Sequence, residues 1–178
     1  MPKYKIVLLV CAAALFCMGV SLIGINGLVK AQDNLSLIAG VTILAVGVTR
    51  LIYGIVLVTK EKDSLYNIIY GAIDIIFGIV FLVYIQDKII FMIVLSIYIL
   101  VEAILDCVFA VSKSYPEIPW IGALIVGLIK FAFGVLIMFK PFGGFNLWLV
   151  FSGIYFMLQC ASWILFTIKM KAKEPKQS

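Results

Sequence analysis

The sequence predicts an all-α integral membrane bundle of six transmembrane helices. Three observations favour this fold class: hydrophobic residues make up 65% of the 178 residues, charged residues make up only 13%, and the mean hydropathy is +1.21. A soluble domain is about half apolar and about a quarter charged, so most of this apolar surface is expected to face lipid. The composition therefore excludes a soluble enzyme, a nucleic-acid-binding domain, a disordered chain and a secreted disulfide scaffold as the main class.

Six apolar runs give the predicted spans, because each is about as long as the roughly 20 residues that cross a hydrocarbon core as a helix. In chain order they are Ile6–Val29, Leu35–Val58, Leu65–Ile85, Ile89–Val111, Ile118–Met138 and Phe145–Ile168. The first run follows Lys3 and Lys5 and so resembles a secretory signal, but it continues past the usual signal length and no cleavage site closes it. We interpret it as a retained first span.

The lysines predict the orientation of these spans. Nine lysines lie in the two tails and in the second and fourth loops, whereas three, Lys30, Lys88 and Lys140, lie in the first, third and fifth loops. Membrane proteins retain positive charge on the cytoplasmic side, so both termini are expected inside. The basic tail at 169–178 either contacts anionic lipid headgroups or serves only to set the orientation.

The apolar runs also form three similar units within a single membrane domain, residues 1–178. The units cover about 6–58, 65–111 and 118–168. Each is predicted to be a helix, a short outer loop and a returning helix, and the three units run in parallel orientation. The returning helices align without a gap: Gly40 to Arg50 on Ser96 to Asp106, continuing onto Gly153 to Trp163.

Small residues recur seven positions apart in the first helix of each unit. They are Ala12 and Gly19, Gly71 and Gly78, and Gly127 and Gly134. Small residues let membrane helices approach closely, and lipid offers little other drive for helix association. We therefore predict that these six residues pack helices together.

Two glycine motifs and one turn carry a family resemblance. Gly78 continues as Gly-Ile-Val, Gly134 continues as Gly-Val-Leu, and Lys140-Pro141 occupies an outer turn. With the three hairpins, this pattern resembles the HdeD-like family, bacterial inner-membrane proteins named for an acid-resistance protein and of undefined function. The resemblance covers about residues 6–168. It implies a multi-pass protein of the bacterial cytoplasmic membrane that contributes to envelope or acid stress tolerance, and it supplies no catalytic or ligand-binding residues.

Polar side chains lie unexpectedly deep within the predicted spans. They are Arg50, Asp74, Glu102, Asp106, Lys130 and Gln159. Most lie roughly 12–18 Å from the inner ends of their spans at 1.5 Å per residue, and Asp106 lies about a turn closer. An intramembrane charge costs at least about 2.5–3.5 kcal/mol on insertion scales, so each charge is expected to face the bundle and find a partner.

The repeat alignment predicts which charges pair. Asp74 and Lys130 occupy one repeat position, and Arg50 and Asp106 occupy another, so we expect opposite charges to pair between units. Two interpretations of this layer stay open. The charges are ties that fix helix register, or they line a path for ions, protons or small solutes, as in a small channel or a proton-coupled transporter.

Catalysis and metal binding are not expected. The chain has no histidine, and its four cysteines lie inside apolar runs without a CxxC pair. The loop from Ser112 to Glu117 holds a serine near a lysine, but ordinary helix-end and turn chemistry explains these residues. We therefore expect no catalytic residues, no metal and no cofactor. The expected partner is the lipid bilayer rather than nucleic acid, and a homo-oligomer is left open.

Overall fold

The computed structural model describes residues 3–25, 34–57, 64–84, 87–112, 120–139 and 145–169. Six helices make up these residues: α1 Lys3–Ile25, α2 Leu35–Leu57, α3 Ser64–Tyr84, α4 Lys88–Val111, α5 Trp120–Met138 and α6 Phe145–Lys169. The predicted all-α class is confirmed for this part of the chain. Most of the lysines that predict the orientation, among them Lys30, Lys60 and Lys140, lie outside it, as does the tail from position 170 onward.

Four helices are long and apolar enough to cross a membrane. Their apolar stretches are Leu35–Val56, Leu65–Val83, Ile89–Val111 and Trp120–Met138. α1 and α6 carry shorter apolar stretches among the described residues, Leu9–Gly24 and Leu147–Ala161. Large aliphatic side chains on the outward faces of the four long helices are exposed, as a lipid-facing surface requires. These four helices indicate a membrane protein.

The helices form a ring in chain order that closes between α6 and α1. Packing is closest between α2 and α3, between α4 and α5, and between α1 and α6, and the alternate neighbours in the ring pack more loosely. The closest pairs are antiparallel, since Gly40 near the start of α2 meets Leu82 near the end of α3, and Gly54 near the end of α2 meets Ile68 near the start of α3. The tightest interfaces therefore fall between the predicted units rather than within them.

Glycines allow this close approach. A Cβ atom at Gly47 would lie 2.6 Å from the Cβ of Asp74, and a Cβ at Gly71 would lie 2.8 Å from the carbonyl oxygen of Gly47. Such separations leave no room for any side chain, so the α2 and α3 backbones are in direct contact. A Cβ at Gly127 would meet the sulfur of Cys107 at 2.8 Å, at the α4–α5 interface.

The other predicted packing residues lie at similar contacts. A Cβ atom at Gly78 would lie 2.8 Å from the Cβ of Leu44, and one at Gly134 would lie 2.8 Å from the side chain of Leu100. A Cβ at Gly19 would lie 2.8 Å from the carbonyl oxygen of Gly153, where α1 meets α6. Ala12 is buried in the core. The predicted small residues therefore line all three of the closest interfaces.

Large side chains fill the interior of the ring. One end of the interior lies near the end of α3 and the starts of α4 and α6. There the Phe81 and Phe91 rings pack at a tilt with centroids 5.3 Å apart, and Phe91 meets the Trp148 ring edge-on at 5.7 Å. At the same end, the Asp87 side chain caps α4 by accepting hydrogen bonds from the backbone N–H groups of Ile89 at 2.7 Å and Ile90 at 3.2 Å. This end of the interior is apolar and aromatic.

Candidate functional site

A single guanidinium joins three helices in the middle of the bundle. Nη1 of Arg50, on α2, donates to Oδ2 of Asp74 on α3 at 2.8 Å and to Oε1 of Glu102 on α4 at 3.1 Å. The three residues are 3%, 0% and 1% exposed, respectively. We call these residues the arginine triad. Charged groups buried this deeply are held by one another and by hydrogen bonds, because unpaired charge is costly away from water.

Hydroxyl and amide donors complete the arginine triad. The Tyr98 hydroxyl donates to Oδ1 of Asp74 at 3.0 Å. Oε2 of Glu102 accepts from the Tyr155 hydroxyl at 2.8 Å and from Nε2 of Gln159 at 3.2 Å. Tyr155 and Gln159 lie four residues apart and so share one face of α6. Through them the triad is linked to a fourth helix.

A second ion pair lies closer to the α4–α5 loop. The Lys130 ammonium on α5 donates to Oδ2 of Asp106 on α4, and the Tyr70 hydroxyl on α3 donates to Oδ1 of the same carboxylate. The ring of Tyr70 lies below the Arg50 guanidinium, with 5.1 Å between Cζ and the ring centroid. This tyrosine therefore connects the arginine triad to the second ion pair.

The predicted pairing of Asp74 with Lys130 is wrong. Asp74 bonds Arg50, and Lys130 bonds Asp106. Asp74 and Lys130 lie one unit apart around the ring, and each bonds another residue. Each bonds a charged partner on the helix to which its own helix is joined by one loop, and Arg50 also reaches Glu102 on α4.

The sequence held the signal that locates these partners. Arg50 and Asp74 lie twelve residues on either side of position 62, in the loop between α2 and α3. Asp106 and Lys130 lie twelve residues on either side of position 118, in the loop between α4 and α5. Two antiparallel helices bring together residues equally distant from their loop.

Tyr70 is a residue of this network that the sequence analysis missed, as are Tyr98 and Tyr155. It lies four residues before Asp74 and so shares a face of α3 with that carboxylate. A tyrosine one turn from a buried charge on a membrane helix is the pattern that could have identified it. Gln159 was predicted in the charge layer, and the structure brings it to Glu102.

The cysteines and Ser112 take no described part in the arginine triad or the second ion pair. Cys11, Cys17, Cys107 and Cys160 are free thiols. Among the residues that the structure describes, no group of three or more Cys, Asp or Glu side chains is placed to hold a metal ion. The Ser112 hydroxyl donates to the carbonyl of Phe109 at 3.1 Å, as a helix end does, and the rest of the loop up to Glu117 lies outside the described residues.

Comparison of the chain with family models, with curated proteins and with solved structures finds no match. The arginine triad and the second ion pair are therefore interpreted from their own geometry.

Proposed function

We propose that the chain is a non-enzymatic, multi-pass membrane protein whose buried charges fix the register of its helices. It crosses the bacterial cytoplasmic membrane six times as three tandem units, with both termini in the cytoplasm. The resemblance to the HdeD-like family extends the proposal to a contribution to envelope or acid stress tolerance. Contact of the basic tail at 169–178 with anionic lipid headgroups belongs to the same proposal.

One observation carries this proposal: a single set of bonded, buried polar side chains reaches five helices. Arg50 links α2 to α3 and α4, Glu102 links α4 to α6, and Asp106 links α4 to α5 and α3. Polar contacts between membrane helices stabilise and orient their packing. The apolar and aromatic side chains that fill one end of the interior favour this role over a path through the bundle.

The matching interfaces support the three units. Leu44 beside Gly78 corresponds in the repeat alignment to Leu100 beside Gly134, and Met157 beside Gly19 takes the third place. A common packing contact at three aligned positions is what three copies of one unit would give.

Cysteine labelling tests the topology. In a chain whose four native cysteines are replaced by alanine, single cysteines at positions 30, 88 and 140 should react with a membrane-impermeant maleimide added outside the cell. Cysteines at positions 60 and 173 should react only after the cells are permeabilised. The reverse pattern would contradict the orientation, and reaction of all five from outside would contradict the six spans.

A small channel or proton-coupled transporter is the second candidate, favoured by three buried carboxylates facing two buried cations. Proteoliposomes containing the wild-type protein and a pH-sensitive dye separate the two functions. Under an imposed pH gradient, a flux that Glu102→Gln abolishes would support transport. Equal leakage with the wild type, the variant and empty liposomes would support the register-fixing role. Survival of acid challenge by cells with and without the protein tests the stress role.

A further inference from the structure

Two kinds of interface alternate around the ring of helices. Where α2 meets α3 and α4 meets α5, the helices approach closely through glycines such as Gly47 and Gly127. In contrast, α3 and α4 pack more loosely, and long side chains bridge the space between them. A glycine contact leaves no slack, whereas a long side chain can reorient about its torsion angles. The α3–α4 seam is therefore an interface that can widen while the helices themselves stay unchanged.

An ion pair adds to the glycine contact within each helix pair that flanks this seam. Arg50 bonds Asp74 between α2 and α3, and Lys130 bonds Asp106 between α4 and α5. A motion that widens the α3–α4 seam leaves both ion pairs in place. Each helix pair can therefore move as one rigid body, the α2–α3 body on one side of the seam and the α4–α5 body on the other.

One end of the seam is hinged by the chain itself. Two residues, 85 and 86, connect Tyr84 at the end of α3 to Asp87, which caps α4. Consecutive Cα atoms are 3.8 Å apart, so the Cα atoms of Tyr84 and Asp87 stay within about 11 Å of each other. Beside this connection the Phe81 and Phe91 rings pack with centroids 5.3 Å apart. We call this the hinge end of the seam.

Side chains hold the opposite end of the seam, where α3 starts and α4 ends. The Tyr66 ring meets the Phe109 ring edge-on with centroids 5.1 Å apart, and the Tyr70 ring lies 6.0 Å from the same phenylalanine. The Tyr70 hydroxyl also donates to Oδ1 of Asp106. We call these four residues the latch, because each of their contacts joins α3 to α4.

We propose that the α3–α4 seam is a latched hinge. Release of the latch lets the α2–α3 body and the α4–α5 body move apart at the latch end, while the hinge end stays closed. Rigid bodies turn in this way about a few residues at the ends of helices. The opening exposes Asp106 and Lys130 at one end of the bundle, and the Phe81, Phe91 and Trp148 rings close the other end. The inference goes beyond the register-fixing role, because it gives the network a moving part with access from one side.

Contacts in the middle of the seam are compatible with this motion. Arg50 reaches Glu102 across the seam at 3.1 Å but bonds Asp74 in its own body at 2.8 Å. Glu102 accepts two hydrogen bonds from α6, so it also keeps partners on its own side of the seam. The Tyr98 hydroxyl donates to Asp74 across the seam at 3.0 Å, and it lies nearer to the hinge than Glu102 does. Separation at this point is smaller than at the latch.

Distances between spin labels, measured by double electron–electron resonance in lipid nanodiscs, test the hinge. The labels are attached to pairs of cysteines introduced at exposed positions of a chain whose four native cysteines are replaced by alanine. Ile55 on α2 and Ile121 on α5 report on the latch end, and Leu37 and Met138 report on the hinge end. Leu37 and Leu65 lie within the α2–α3 body and serve as the internal control.

Substitutions in the latch should open the seam. Tyr70→Phe removes the hydroxyl that bonds Asp106, so we expect a longer distance component at the latch end and unchanged distances for the other two label pairs. Phe109→Leu removes the ring contacts of the latch and should act in the same direction. Tyr155→Phe is the matched control. It removes a buried hydroxyl that also bonds a carboxylate of α4, but from α6, so its distances should match those of the wild type.

Three results would overturn the proposal. An unchanged latch-end distance in both Tyr70→Phe and Phe109→Leu means that the latch holds no hinge closed. An equally long component in Tyr155→Phe means that loss of any buried hydroxyl loosens the bundle. A second distance for the hinge-end pair or for the pair within the α2–α3 body means that the helices separate without a hinge or without rigid bodies.

Discussion

Replacing Lys130 by methionine should destabilise the bundle, because it removes the ammonium group that bonds the buried Asp106 carboxylate. The Lys130 and Asp106 side chains are each 8% exposed, so water offers the remaining carboxylate little compensation. Removing one partner of a buried ion pair costs about 3–5 kcal/mol. We expect about 3 kcal/mol, the low end of this range, because the Tyr70 hydroxyl still bonds Asp106.

The double variant Asp106→Asn/Lys130→Met should recover part of this loss. An asparagine can still accept from Tyr70, and no charge is left unpaired. Polar contacts between membrane helices couple by about 0.6 kcal/mol on average and by about 1.7 kcal/mol at most. A coupling of about 1 kcal/mol or more in a double-mutant cycle is therefore the expected result. The free energy of unfolding is measured by equilibrium titration with sodium dodecyl sulfate in mixed micelles.

A second cycle tests the assignment of partners. Asp74→Asn and Lys130→Met alter residues that bond different groups, Arg50 and Asp106 respectively, so their coupling should be well below that of the first cycle. Stronger coupling between Asp74 and Lys130 than between Asp106 and Lys130 would refute the geometry of the network. Such a result would instead support a direct pairing of Asp74 with Lys130, which occupy equivalent positions of the repeat.

Two pairs of substitutions test packing and capping in the same unfolding assay. Gly47→Ala should cost about 1–3 kcal/mol, because its Cβ would lie 2.6 Å from the Cβ of Asp74. Gly24→Ala, which meets nothing within 4 Å, should be neutral or stabilising by up to about 1 kcal/mol, and equal losses for both glycines would contradict the packing argument. Asp87→Ala should cost about 1 kcal/mol through loss of the α4 cap, and Asp87→Asn should cost much less. A loss as large in the asparagine variant would count against capping.

Helix number and extent were readable from sequence because they depend on length and polarity alone. The run Ile89–Val111, for example, differs from α4, Lys88–Val111, by one residue at its start. Hydrocarbon thickness sets how many apolar residues a span needs, so no knowledge of neighbours is required. The small residues were also predictable from sequence. Small residues seven positions apart lie on one face of a helix, and that face can pack closely whichever helix lies against it.

The choice of ion-pair partners needs more than span length: the equal distance of each pair from its loop gives the partners only once the two helices are known to be adjacent. The repeat alignment makes Asp74 and Lys130 equivalent, but equivalent positions of a repeat need not be in contact. In the ring, the neighbour of α3 at this depth is α2, and its glycines bring the two backbones together near Arg50 and Asp74. The spacing of Tyr70 from Asp74 marks it as a network residue, but its partner depends on helix adjacency, since its hydroxyl reaches a carboxylate on another helix.

The two ion pairs have opposite polarity at aligned positions. Arg50 faces Asp74 at the α2–α3 interface, and Asp106 faces Lys130 at the α4–α5 interface, where aspartate replaces arginine and lysine replaces aspartate. The attraction between two opposite charges is unchanged when they exchange places. Either helix can therefore carry the cation, provided that the other helix carries the anion. Glycine has no such freedom, because only the loss of a side chain lets two backbones touch. Between aligned units, the packing contact therefore retains glycine, at Gly78 and Gly134. The ion pair retains only its zero net charge.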